Sequence, residues 1–302
     1  LDPDFARAYS KLAALQILAP HYLGTDLATS TRAAESNARR ALVLQPDLAE
    51  PRAVIAFSFD LQKRYLAARA EYEKALAIEP DDLLTNFWFS THLMETGYLG
   101  ERVARLQRVL ALDPLLPNAL NHFGATLEWQ GDLQGARQAM ERAKTVGSAN
   151  SDLTLGFVSL RQGRTVEAKA ELARALDLFG ANLPRGTGDI IASGVVEGGE
   201  GRLVALKRVR ELAALPASRN EGVLAWALML FGEHEHTFAM IVDRPLTTDM
   251  WNSVLWSPRG KAARTSPAFP EFARKVGFVD VWERYGPPDL CKKDASGDYR
   301  CE

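Results

Sequence analysis

Cysteine, histidine and unbalanced charge are all scarce in this 302-residue sequence, which holds two cysteines, five histidines and a net charge of -2. The 36 basic and 38 acidic residues nearly cancel, leaving no polyanion-binding field and arguing against nucleic acid as a partner. No apolar run is long enough to span a bilayer, so membrane insertion is not expected. Neither an initiator methionine nor a signal peptide is present. Six glycines between Gly186 and Gly201 lack the Gly-Lys-Ser/Thr of a phosphate loop, and no strand pattern precedes them. Catalytic constellations are scarce too. Glu233-His234-Glu235-His236 has two histidines two apart, which cannot share a helical face, and reads as a solvated helix start. No cofactor or metal is expected, and the chain reads as non-enzymatic.

What the sequence does have is a period. Pro46, Pro80 and Pro114 stand 34 residues apart. Ile55, Phe89, Phe123 and Phe157 keep that spacing, and so do Ala56, Ser90, Gly124 and Val158 after them. Ala41, Ala75, Val109 and Ala143 form a further column late in each unit. Small and large apolar residues alternating at this period resemble tetratricopeptide repeats. The resemblance covers residues 1 to about 180, as some five helix-turn-helix units. It implies an all-α fold, a right-handed α-α superhelix, closed by a degenerate helical extension over 181–302. The opening Leu1-Asp2-Pro3 matches Leu112-Asp113-Pro114, the close of a repeat, so a preceding segment is expected.

Along the chain, a first helix is predicted over 6–18 and its partner over 31–44. The nine residues by which this unit exceeds the period are placed in a long connection around Pro20 to Asp26. Beyond Gly180 the pattern predicts helices over 189–197, 202–215, 220–231, 233–242 and 247–256. Two short helices separated by Gly277 follow over 267–285, with Phe269, Phe272, Phe278, Val281 and Trp282 closing an apolar face.

In a stacked array the first helix of each unit lines the concave groove. One stripe there carries Val54, Trp88 and His122, then Phe57 and Thr91, then Glu95 and Trp129, flanked by Phe87 and Asn121. Aromatics beside Asn, His and Glu suit an extended peptide or a packed helix. Each aromatic also fits simple packing between layers. The groove lacks the Lys/Asn arrangement by which some relatives clamp a C-terminal carboxylate.

Cys291 and Cys301 flank a Ser296-Gly297-Asp298 turn, and a hairpin there would let them bond. The alternative is two free surface thiols; a zinc site would need more ligands than lie nearby. A disulfide implies an oxidising compartment, the periplasm, and free thiols the cytoplasm. Asp294, Ser296 and Asp298 lack the ligand pattern of a calcium loop. The segment from Arg264 to Phe278 resembles the closing part of repeat regions in bacterial signalling proteins, either CadC/ToxR-type regulators or class III cyclase-linked proteins. That resemblance implies a sensor or interaction module binding a protein or peptide, with homo-oligomers through solenoid ends also in view. The competing readings are the regulatory region of an enzyme such as a nucleotide cyclase, and a small-ligand-sensing domain.

Overall fold

The computed structural model describes residues 4–215, 221–243 and 250–302. Leu1 to Pro3, the residue Asn220 and the start of the segment predicted over 247–256 lie outside the described residues. The fold is all-α and of helical-repeat type. In chain order the helices are α1 (Ala6–Leu23), α2 (Leu27–Leu44), α3 (Glu50–Leu61), α4 (Tyr65–Ile78), α5 (Leu83–Thr96) and α6 (Leu99–Leu112). Then come α7 (Pro117–Gln130), α8 (Leu133–Thr145), α9 (Asp152–Arg161), α10 (Thr165–Phe179), α11 (Thr187–Glu197) and α12 (Gly199–Ala213). The last are α13 (Glu221–Leu230), α14 (His234–Asp243), α15 (Asn252–Leu255), α16 (Lys261–Arg264), α17 (Phe269–Lys275) and α18 (Phe278–Tyr285). A 3-10 turn, Pro258–Gly260, precedes α16, and a hairpin of β1 (Cys291–Lys293) and β2 (Tyr299–Cys301) ends the chain. The chain divides into two compact units, the first holding Leu1–Leu112 with Ala273–Asp289, the second Asp113–Phe272 with Leu290–Glu302.

In the first unit the repeat begins with helices longer than predicted. Helix α1 runs through Pro20 to Leu23 and stops at Gly24, whose φ of 65° is left-handed. Proline forfeits one backbone bond but keeps a helical φ, so the glycine sets the end instead. Asp26 then caps α2 by accepting from Thr29 N at 2.8 Å. The nine extra residues therefore lengthen the two helices to 18 residues each, rather than forming the long connection the sequence suggested.

The turns show how the period is enforced. Gly97 has a φ of 89° and lets α5 stop and α6 begin. One repeat earlier the same place is held by Lys63, at a φ of 58°. No other non-glycine among the described residues has a positive φ. The backbone demands the left-handed turn whichever residue occupies it, at a cost of about 1–2 kcal/mol for a side chain with Cβ. Below these turns the small column is fully enclosed, with Ala56 and Ser90 both at 0% exposure. Helix α18 packs on α4, with the Phe278 and Tyr65 rings 5.3 Å apart. Trp282 Nε1 donates to Thr96 O at 2.9 Å, and Tyr98 Oη donates to Gly286 O at 2.6 Å.

In the second unit the column continues as Gly124 and Val158. A Cβ on Gly124 would come within 3.1 Å of Ala139 Cβ and 3.3 Å of Ala136 O and would displace the Met140 side chain, so α7 and α8 pack closely here. Further along, among the described residues of the predicted helix, α15 covers Asn252–Leu255. Trp251, Trp256, Phe238, Phe269 and Phe272 build a local aromatic core, with Phe238 and Phe272 stacked at 4.2 Å. Arg264, 4% exposed, fastens the end of the chain: Nη2 donates to Glu302 O at 2.6 Å and Nη1 to Ser257 O at 2.9 Å.

Candidate functional site

In the first unit, the predicted groove residues sit on α3 and α5 at two depths. Val54, Trp88 and Glu95 lie below the surface, at 0%, 4% and 4% exposure. Phe57, Phe87 and Thr91 are half-buried. Phe57 stacks on Trp88 with centroids 4.9 Å apart and planes within 16°, so Trp88 fixes the ring that reaches solvent. Beneath this face lies a polar triad that the sequence did not reveal. His92 Nδ1 is 2.7 Å from Asp60 Oδ1, and Tyr72 Oη donates to Asp60 Oδ2 at 2.9 Å, all three residues being buried. Burial pushes the Asp60 carboxyl up, against the pull of His92 and the two hydrogen bonds. Burial and the neighbouring Asp60 also push the Tyr72 hydroxyl well up, keeping it a donor. His92 is enclosed by the rings of Tyr72, Phe89 and Tyr65 at 5.7, 5.8 and 6.1 Å. The triad reads as a core network, sealed from any substrate.

In the second unit, His122 and Trp129 on α7 are half-buried. Asn121 is engaged locally: its Nδ2 donates to Ser148 Oγ at 2.5 Å and its Oδ1 accepts from Ser151 Oγ at 2.8 Å. Its amide thereby pins the loop between α8 and α9.

The sequence reading missed a cleft of about 480 Å³ in the second unit. It opens where the ends of α7, α9, α11 and α13 meet the turn at Pro258–Gly260. Its walls are Phe157, Leu160, Val195, Leu230 and Phe231, and its charged groups are Glu128, Arg161, Arg202 and Arg259. The Arg259 guanidinium sits over Phe157, its Cζ 3.6 Å from the ring centroid. Arg259 Nη2 and Arg161 Nη1 both approach the same oxygen, Glu128 Oε1, at 2.7 and 3.2 Å. Arg161 also donates to the Glu128 carbonyl. Arg202 Nη2 donates to Phe231 O at 2.9 Å. Burial lowers the Arg259 pKa, Glu128 raises it and neighbouring Arg161 lowers it again, with the net shift downward. Little in the sequence foretold this. Arg259 falls outside the repeat period, and Arg161 is an ordinary-looking residue at a helix end.

The predicted hairpin forms, and its register sets Cys291 directly opposite Cys301 in a disulfide. Asp294 holds the turn, accepting from Ser296 N and Asp298 N at 3.0 Å each. The Ser296 side-chain hydrogen bond, followed by that of Arg300, lowers the Asp294 pKa to about 2. His234 opens α14 with Glu235 in its first turn, and burial lowers the His234 pKa. Among the described residues no group of three or more His, Cys, Asp or Glu is placed to hold a metal ion, and no helix is long and apolar enough to cross a membrane.

No established family profile matches the chain. An 80-residue stretch is 34% identical to a Pseudomonas putida protein described as a probable biofilm formation methyltransferase, WspC, covering 26% of this chain and 19% of that protein. The chain therefore spans about a fifth of that relative's length. Among solved structures, PilF of Pseudomonas aeruginosa superposes with a TM-score of 0.50 at 20% identity, over 69% of this chain and 90% of PilF. PilW, a type IV pilus biogenesis factor, gives 0.52 at 18% over 69% and 92%. A tetratricopeptide repeat protein from Parabacteroides merdae gives 0.52 at 12% over 89% and 99%. At such identities the likeness is one of fold, and the fold is that of the tetratricopeptide repeats.

Proposed function

We propose that this chain is a non-enzymatic interaction module that binds a protein or peptide segment on the first-helix face of its repeats. The observation that carries the reading is the pairing of half-buried Phe57 with the buried Trp88 that stacks against it. A half-exposed aromatic held rigid by a buried one offers contact area at little cost in side-chain entropy. Phe87 and Thr91 extend that face in the first unit, and His122 and Trp129 offer an aromatic and polar pair in the second. Val54, Trp88 and Glu95 serve as the floor of the face in the first unit, and Asn121 supports that of the second by fixing a loop. Residues 1–180 would carry the repeats, and 181–302 a helical extension that ends in a cap.

The wider setting we favour is a sensor or interaction part of a larger bacterial regulator, of the kind the Arg264 to Phe278 segment resembles. The Cys291–Cys301 bond supports placing it in an oxidising compartment such as the periplasm. A second reading, a regulatory region joined to an enzyme, draws support from the match to part of a protein named as a methyltransferase.

The test is selection of a random peptide library on the immobilised chain, repeated on a Phe57→Ser/Phe87→Ser variant and on a His122→Ala/Trp129→Ala variant. We expect a sequence consensus on the parent chain that at least one variant fails to enrich. A consensus retained by both variants, or none on the parent, would refute the reading.

A further inference from the structure

Three arginines and one glutamate give the cleft of the second unit an excess of two positive charges within apolar walls. That is the electrostatic condition for an anion. Arg161 and Arg259 converge on a single carboxylate oxygen of Glu128, although a guanidinium carries five N–H donors in a fixed fork. One internal oxygen cannot occupy both forks. Glu128 is 2% exposed and lies at the inner end of the pair, so it fixes the two guanidiniums from below. Phe157 packs against Arg259 from one side. The arginine pair is therefore pre-oriented, as an anion site requires.

Size and lining narrow the class. A volume of about 480 Å³ falls in the range of small-molecule pockets, and five of the lining residues are large apolar side chains. Phosphate or sulfate alone would leave those walls wet. A Cβ on Gly198 would meet nothing within 4 Å, so the wall is open beside it.

We propose that this cleft binds a small carboxylate with an apolar body, its carboxylate taken by Arg161 and Arg259 and its body packed against Phe157, Leu160 and Leu230. None of its lining residues is among those named for the peptide-binding face above. The carboxylate of a free small molecule and that of an acidic residue in a peptide share this chemistry; the volume favours the free molecule.

The experiment is calorimetric titration of the full chain with 4-phenylbutyrate, its primary amide, acetate, and an acetylated Leu-Glu-Leu amide. Saturable phenylbutyrate binding is expected, at least tenfold tighter than the amide or acetate and tighter than the peptide. Arg161→Gln, at the more exposed of the two arginines, is expected to weaken it at least tenfold with the circular dichroism unchanged. Glu128→Gln supplies a reading that folding defects cannot mimic. It keeps the Oε1 acceptor that orients the two guanidiniums and removes only its negative charge, so the carboxylate should bind several-fold tighter, although the protein itself loses an ion pair. Equal binding of amide and carboxylate, binding of the peptide alone, no saturable heat, or indifference to both substitutions would overturn the proposal.

Discussion

Removing one oxygen atom from the core of the first unit gives a sharp test of how that core is held. Tyr72→Phe keeps the ring in its stack on Phe89, where the centroids are 5.2 Å apart, and deletes only the hydroxyl that donates to Asp60 Oδ2. A hydrogen bond to an ionised acceptor contributes about 1.5–3 kcal/mol, and one between neutral groups about 0.5–1.5 kcal/mol. Asp60 retains His92 at 2.7 Å, so the carboxylate is left half-satisfied rather than stranded. We therefore expect a loss of about 2 kcal/mol. Hydrogen exchange of the α3 and α5 amides, read by mass spectrometry, reports the opening free energy of this unit without mixing in the other. A loss of that size accelerates exchange by up to about 30-fold. In an Asp60→Asn background the bond is already neutral, and the same substitution should cost only about 1 kcal/mol. The double-mutant cycle thus predicts a coupling of about 1 kcal/mol. An identical cost in both backgrounds, or less than about a threefold change in the first, would refute the reading of the Tyr72–Asp60 bond as one made to an ionised carboxylate.

Three further outcomes follow from particular residues. At Asp152 burial raises the carboxyl pKa, but hydrogen bonds from Arg174 and Lys144, with their charges, outweigh it and hold it below 3.8. A depressed pKa means stability that is complete above 3.8 and is lost as pH falls through the folded value; Asp152→Asn should lower Tm at pH 7 and shrink that deficit by pH 3 in differential scanning calorimetry. Lys63→Gly relieves a left-handed side chain and should stabilise the first unit by about 0.5–1 kcal/mol in urea denaturation; a loss of stability would contradict the turn geometry. Thiol titration of protein purified without reductant should find no reactive cysteine in either native or denaturing buffer, and two titratable thiols would contradict the Cys291–Cys301 bond.

Most of the architecture was legible because the repeat period writes the same packing problem several times. Ala56, Ser90 and Gly124 are small where helices meet, and the structure encloses each of them. Legibility failed where one residue does an unlabelled task. Lys63 conceals a turn that Gly97 and Gly131 announce, because the backbone imposes left-handed φ on a residue that does not advertise it. Pro20 suggested a break, yet the next glycine, Gly24, decided the helix end. The packing of the candidate face was read only in outline. Spacing finds which residues share a helical face, but it cannot say that Trp88 sits under Phe57 or that Asn121 turns aside to Ser148. The arginine cleft was invisible, since Arg161 and Arg259 are 98 residues apart and meet only through the fold.

The most direct test of the central claim is a hydrogen-exchange footprint of the chain with a library-selected peptide bound. The account predicts protection on the first helices of the repeats, in peptides containing Phe57 and Phe87–Thr91 or His122–Trp129. Protection confined to the second helices α4, α6 and α8, or absent at saturating peptide, would contradict it.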